Sequence, residues 1–392
     1  MSAFSAPAWA ARQREIDRAR IGDESLLAHK AERMSGSPLA LLRGAAPLFY
    51  ELCATWPELA AGPAATGWMV GDLHIENFGA YRPSALTVAD DTDAGRVVFD
   101  INDFDDATVG PVHLDLLRLT TSLLLGTRDL GIDGKDRAAL GRALLSAWAQ
   151  ALVQDQPLAP PDCVHVLLDR VGRRDRRALL DGRTELVGKH RRFPRGARYR
   201  DLPPSIGGAV VPAFAAYARS LPDDERPSDA ALEVLDCAFR VAGTGSLGAL
   251  RVAVLTRGKG GPDGAFIFDL KAQGEPSSNA LFAGPALSPV ARVRTAAQAL
   301  LGQPPRMLGE TTLEGRACLG RRLAPQEDRL DWTQVHGHEL TTLVAHFGTL
   351  AGRAHRRGLK HAAPVIPADL ETILGNAMTL AGMHEAIYLG LS

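Results

Sequence analysis

Two stretches of the chain carry the apolar spacing of buried helices: residues 113–126 (HLDLLRLTTSLLLG) and 136–154 (DRAALGRALLSAWAQALVQ). Ahead of them, residues 1–30 read as a polar amphipathic helix. Ser37-Pro38 opens another through LALLRGAAPLFYEL, since proline suits a first helical turn. Residues 66–72 read as a short strand or a buried loop entry, and Arg96 to Phe99 as a buried strand. The Pro/Asp-rich stretch Leu221 to Asp229 reads as a linker. The pattern then changes. Phe239 to Thr256 is β-rich around a glycine turn, Arg257 to Gly261 is a hairpin signal, and Ala265 to Gln273 alternates as a second strand. A helix over about 288–301, two short strands over about 306–322 and a helix over 332–357 complete the reading. The order is helical, β-rich, then helical again.

At 392 residues the chain can build two lobes with sizeable cores, and its 46% apolar and 23% charged residues are those of a globular protein. The net charge of −1 gives no global attraction to nucleic acid or membrane, and neither partner is expected. Charge is uneven locally. Residues 90–115 hold eight aspartates, Asp90, Asp91 and Asp93 among them, against one arginine, and residues 170–200 hold twelve Lys/Arg against three acids. The acidic run favours a divalent cation. The basic run reads as a solvated face or a dock for an anionic acceptor, without the aromatic spacing that stacks bases.

Cys53, Cys163, Cys237 and Cys318 lie too far apart for a zinc or redox pattern. The N-terminus lacks the apolar core of a signal peptide, and no apolar run approaches the roughly 18–20 residues that span a bilayer, so a cytoplasmic location is expected. The late histidines lack H-E-x-x-H and no G-x-S-x-G occurs, which argues against a zinc hydrolase or a serine hydrolase.

The chemistry gathers in two places. Gly71-Asp72-Leu73-His74-Ile75-Glu76-Asn77 spaces an Asp and an Asn five residues apart. Phosphoryl transfer needs an acceptor hydroxyl aimed in line and phosphate charge neutralised. Asp72 as proton acceptor and Asn77 as metal ligand meet that need on one loop. His74 reads as an orienting hydrogen-bond partner or a metal ligand, and Arg43 as reaching the site or forming a structural ion pair.

The second place is Val241 to Gly248, which contains G-x-G-x-x-G. A β-branched apolar run follows it instead of a helix, so strand–turn–strand over phosphates is favoured above a dinucleotide fold. Gly243, Gly245, Ser246 and Gly248 would cover the phosphates, with Lys271 on the next strand pairing to their oxygens. For the acid that partners such a lysine, the reading leaves Glu275, the amide of Gln298 on the following helix, or no partner.

The run from Asp103 (D-F-D-D-A-T-V-G-P-V-H-L-D-L) resembles the metal-aspartate segment of aminoglycoside phosphotransferase-like kinases through Asp103, Phe104, Asp106-Ala107, Gly110 and Asp115-Leu116. The resemblance implies that Asp103 holds Mg²⁺ and that Asp115 buttresses the catalytic loop. Asp100 and Asp105 compete as metal ligands. The gap between Asn77 and Asp103 exceeds the usual one, and a hairpin over Tyr81 to Gly95 would absorb it. The catalytic loop precedes the glycine turn, whereas kinases have the reverse order. The implied fold is therefore α+β, a two-lobed protein kinase-like fold with a circularly permuted chain. Residues 1–230 would form the helical lobe, 231–330 the nucleotide lobe and 331–392 helices returning to the first lobe.

Arg33-Met34 to Ser37-Pro38, Arg43-Gly44, the Gly71–Gly79 loop, Asn102 to Asp105, Asp115, the Gly243–Gly248 turn, Lys271 and Ala354-His355 resemble a bacterial family, domain of unknown function 2252. The implied activity is ATP- and Mg²⁺-dependent transfer to a hydroxyl. Only eleven residues separate Asp103 from Asp115, which favours a small-molecule acceptor over a protein. The alternatives are a non-catalytic nucleotide-binding regulator and a nucleotidyl (AMP) transferase.

Overall fold

Four short to medium helices open the described chain, two of them capped by side chains. Our computed structural model describes residues 3–84, 97–154, 159–245 and 247–391. Most of the expected 81–95 hairpin, with Asp90, Asp91, Asp93 and Arg96, lies outside the described residues, as does Ser246. The expected helix over 1–30 is two helices, α1 (Ala6–Arg20) and α2 (Glu24–Met34). The break falls at Gly22-Asp23, where the Asp23 carboxylate accepts from the Ser25 and Leu26 N–H groups and starts a new helix. Ser37 caps α3 (Pro38–Gly44) through the Ala40 N–H, and α4 (Ala46–Thr55) follows.

Four short strands come next: β1 (Thr66–Met69), β2 (Phe78–Tyr81), β3 (Val98–Ile101) and β4 (Thr108–Pro111). Then α5 (His113–Asp129) is buried all round from His113 to Thr127, its Asp115 and Arg118 included. Its hydroxyls do not break it, because Thr121 and Thr127 donate to the carbonyls of Leu117 and Leu123 at 2.7 and 2.6 Å. After α6 (Gly134–Val153) come α7 (Asp162–Gly172), α8 (Arg176–Asp181), the hairpin β5 (Glu185–Val187) with β6 (His190–Arg192), β7 (Tyr199–Arg200) and α9 (Pro204–Ser220). The rest is β8 (Val234–Arg240), β9 (Arg251–Thr256), β10 (Phe266–Ala272), α10 (Pro289–Leu300), β11 (Gly309–Leu313), β12 (Arg316–Arg322), β13 (Asp328–Arg329), α11 (Gly337–Gly358), β14 (Leu359–His361) and α12 (Pro367–Leu389).

The fold is α+β. A six-stranded antiparallel sheet runs β11-β12-β10-β9-β8-β7, and two three-stranded sheets, β14-β1-β4 and β13-β2-β3, bracket the Asp72 and Asp103 loops. The large sheet begins earlier in the chain than residue 231. β7 forms its edge, and α9 covers one face through Val210, Phe214 and Tyr217 against Val252, Val254 and Phe268. The main core gathers α4, α5, α6, α11 and α12 with the small sheets. Among the described residues, no helix is long and apolar enough to cross a membrane.

Candidate functional site

The Asp72 loop is held from below by a hydrogen-bond chain. The Asp115 carboxylate, fully buried on α5, accepts from the Val70 and Gly71 N–H groups at 2.6 and 2.8 Å. His355 of α11 lies 2.9 Å from the same carboxylate through Nε2, and Trp148 of α6 donates to His355 Nδ1 at 3.0 Å. Because Nδ1 accepts, the imidazole carries a hydrogen on Nε2 and donates a hydrogen bond through it to the Asp115 carboxylate. The Tyr50 hydroxyl donates to the Gly71 carbonyl. Gly71 itself has φ 82°, and a Cβ there would sit 2.0 Å from the Asp106 carbonyl oxygen, so glycine lets the two loops touch.

Asp72 is paired with Arg118, a fully buried α5 residue, whose Nε lies 2.6 Å from Oδ1. Arg118 also donates to the Leu42 carbonyl at 2.8 Å and stacks over Phe49 at 4.9 Å. Burial pushes the Asp72 carboxyl up to about 7; Arg118 opposes that shift, and Asp106 and Asp103 add to it.

Within the loop, His74 Nδ1 accepts from the Glu76 N–H at 3.2 Å, and the Asn77 Oδ1 accepts from the His74 N–H at 2.8 Å. His74 therefore orders the turn. Its burial, with Arg43 and Arg118 nearby, holds its pKa well below the ordinary imidazole value. Asn77 is 3% exposed, and its amide oxygen is already engaged. Arg43 pairs with Glu76 at 2.8 Å.

The acidic loop and the sheet lysine meet. Lys271 on β10 forms an ion pair with Asp105, two residues past Asp103. Burial lowers the Lys271 pKa, and Asp103 and Asp72 act in the opposite direction. Asp103, Asp105, Lys271 and Gly243 all line one cavity of about 400 Å³.

The two side chains considered as partners of Lys271 lie elsewhere. Glu275 is exposed and accepts from Asn279 at 3.3 Å, and Gln298 faces solvent on α10. The helix instead turns Arg292 inward, 2% exposed. It donates to the carbonyls of Asp105 at 2.8 Å, Gly274 at 2.9 Å and Ala107. Asp106 accepts from the Ser277 N–H at 2.6 Å. The acidic loop is thus fastened to the sheet side by an arginine that grips its backbone.

Gly243 and Gly248 both have positive φ, 83° and 93°, and Arg33 of α2 donates to the Gly243 carbonyl. Ile21 packs so close to Gly248 that a Cβ would meet it at 2.7 Å. Gly245 lies beside the Arg43 backbone, where a Cβ would be 3.1 Å from the carbonyl oxygen. The turn is therefore pinned by the start of the chain.

Asp100 does not line the cavity. Burial pushes its carboxyl up to about 6 against the pull of Arg357 and Arg353, and its Oδ1 accepts from its neighbour Ile101 at 2.8 Å. No group of three or more His, Cys, Asp or Glu side chains that could hold a metal occurs among the described residues. Mg²⁺ needs fewer protein ligands, since it keeps waters and takes phosphate oxygens alongside one or two carboxylates. Asp103 suits it, and so does Asn102, which lines the cavity with a buried Oδ1 that has no hydrogen-bond partner among the described residues.

The basic 170–200 run mostly pairs with acids. Arg174 meets Asp328, Arg191 meets Asp181 and Asp263, and Arg195 meets Asp201 and Asp236, whereas Arg183 lines the cavity.

Sequence reasoning assigned no role to Arg118, Arg292 or Asn102. A charged side chain inside an apolar helical run was the available signal for Arg118.

Residues 20–387 match a family described as an uncharacterized protein conserved in bacteria, DUF2252. The chain belongs to the DUF2252 family. No curated protein and no solved structure matches it. Within this DUF2252 chain the match spans both the Asp72 loop and the Lys271 strand.

Proposed function

We propose that this DUF2252 chain is an ATP- and Mg²⁺-dependent phosphotransferase acting on a hydroxyl of a small molecule, with a kinase-like two-lobed fold in permuted order. One observation carries the reading: Lys271 reaches the acidic loop 166 positions earlier in sequence, in a cavity that also holds Asp103 and Gly243. A volume of about 400 Å³ is in the usual range for a small-molecule site.

In this reading Asp72 accepts the acceptor's hydroxyl proton. A pKa near 7 suits that task, because a base works best when its pKa lies near the operating pH. Arg118 orients the carboxylate. Lys271 and the glycine turn hold phosphate oxygens, with the Asp105 pair keeping the ammonium aimed between uses. Asp103 and Asn102 would hold the magnesium, whose chemistry is to neutralise charge on the phosphate oxygens.

The purified protein, incubated with Mg²⁺, ATP and a panel of hydroxyl compounds, should release ADP. Asp72→Asn should lower turnover by about 10²–10⁴ and leave nucleotide binding intact. Undiminished ATP consumption by that variant would remove Asp72 from the mechanism. Turnover should also rise with pH through about 7 as Asp72 loses its proton. A flat profile from pH 6 to 8 would argue against the assignment. Mass spectrometry of the products separates phosphoryl from nucleotidyl transfer.

The Asp72–Arg118 ion pair, and the lack among the described residues of a helix carboxylate beside Lys271, favour a second reading, a nucleotide-binding regulator without turnover. Magnesium-dependent nucleotide binding with no product from any acceptor would select it.

A further inference from the structure

Strand register puts four cations on one face of the large sheet. Arg251 stands opposite Lys271, Arg321 stands opposite Asp269, and Arg240 continues the row on β8. All four line the cavity beside the acidic loop. Asp269, 2% exposed, lies among them and is shared. Arg251 Nε is 2.9 Å from both of its oxygens, and Arg240 Nη1 is 3.0 Å from one. Arg321 pairs with Glu327 at 3.3 Å.

Arg240 is left short of partners. It is 9% exposed, its Nε makes no hydrogen bond among the described residues, and its Nη1 reaches Asp269 without hydrogen-bond geometry. A buried guanidinium N–H without an acceptor is costly. The whole cavity wall tilts the same way, with nine Lys/Arg side chains against five Asp/Glu among the described residues.

We propose that Arg240, Arg251 and Arg321 form a subsite for a phosphate group, so that the ligand of this cavity is a small phosphorylated molecule with an anionic group beyond the one Lys271 holds. Guanidinium forks match the oxygen pairs of phosphate, and here those of Arg240 and Arg251 are already largely desolvated and held by the sheet, with Arg321 at the open side. A neutral ligand would leave the Arg240 donors unsatisfied. The inference deepens the phosphotransferase reading by naming the class of its ligand, but it needs only the cavity and not turnover.

The test is calorimetric titration of the intact protein with inorganic pyrophosphate at constant ionic strength. The wild type should bind one equivalent. Arg240→Gln and Arg321→Gln should each weaken binding by about tenfold or more. Arg321 is partly exposed, so its variant serves even where the Arg240 variant fails to fold. No uptake by the wild type, or wild-type affinity in both variants, overturns the proposal. It is also overturned if Lys271→Met abolishes binding while both glutamine variants keep it, since the anion then sits beside Lys271. Repeating the titration on protein saturated with ADP identifies the source of the phosphate. Persistent binding assigns the subsite to the acceptor, and competition assigns it to the nucleotide's own tail. Because pyrophosphate uptake is read without catalysis, a chain that fails to turn over ATP can still pass, and an active enzyme can still fail.

Discussion

Where it borders the cavity, the six-stranded sheet has two unlike faces. On one face Val252, Val254, Phe268 and Leu270 pack beneath α9, with Phe214 and Tyr217 at ring-centroid distances of 5.0 and 5.8 Å from Phe268. On the other, at alternate positions of the same strands, stand Arg251, Asp269 and Lys271. Successive strand residues point to opposite sides, so one stretch of sequence writes a core and a charged wall at once. A one-residue slip of β9 or β10 would put arginine and lysine under α9, which ties correct register to correct chemistry.

Several measurements can break or sharpen this contrast. The largest effects are expected from the centre of each face. Phe268→Ala should cost about 3–5 kcal/mol in urea unfolding, with or without pyrophosphate. Asp269→Asn should cost a similar 3–5 kcal/mol, because it leaves Arg240 and Arg251 crowded without their shared acid. Pyrophosphate should recover more melting temperature for Asp269→Asn than for Phe268→Ala. Equal responses would mean that the charged face has no special use for an anion.

Acid should separate the faces next. Burial disfavours the Asp269 carboxylate, but Arg251 and Arg240 overcome that and hold its pKa below the ordinary value. Its stabilising contribution is present above the unfolded-state pKa of about 4 and is lost as pH falls below it. Wild type should therefore weaken more steeply than Asp269→Asn below about pH 4. The smallest change is expected at the rim, where Arg321→Gln removes a half-exposed pair and should alter stability by under about 1 kcal/mol. A larger loss would make Arg321 a structural residue.

Elements whose signal is local were legible. The apolar runs became α5 and α6, and Ser288-Pro289 starts α10 within a residue of the expected place. The alternating run at 265–273 is β10. The strands β1 to β4 were harder, since each is four residues long and carries a glycine or an aspartate.

At the site, types and spacings singled out Asp72, Asp103 and Lys271, but pairings across the cavity left no local mark. Nothing near Lys271 in sequence announces Asp105, and Glu275 is close in sequence yet faces solvent. Arg292 acts on backbone carbonyls, which any residues could supply, so no complementary acid betrays it.

One feature reaches beyond the folded state. The chain Trp148–His355–Asp115 that steadies the Asp72 loop closes only when α11 arrives, 240 positions after Asp115. At roughly 5–20 residues per second, a ribosome needs about 10–50 s to cover that distance. Through that interval the loop has only the contacts of the early chain, those of Asp115, Tyr50 and Arg118. Arrival of α11, rather than emergence of the loop, completes the bracing.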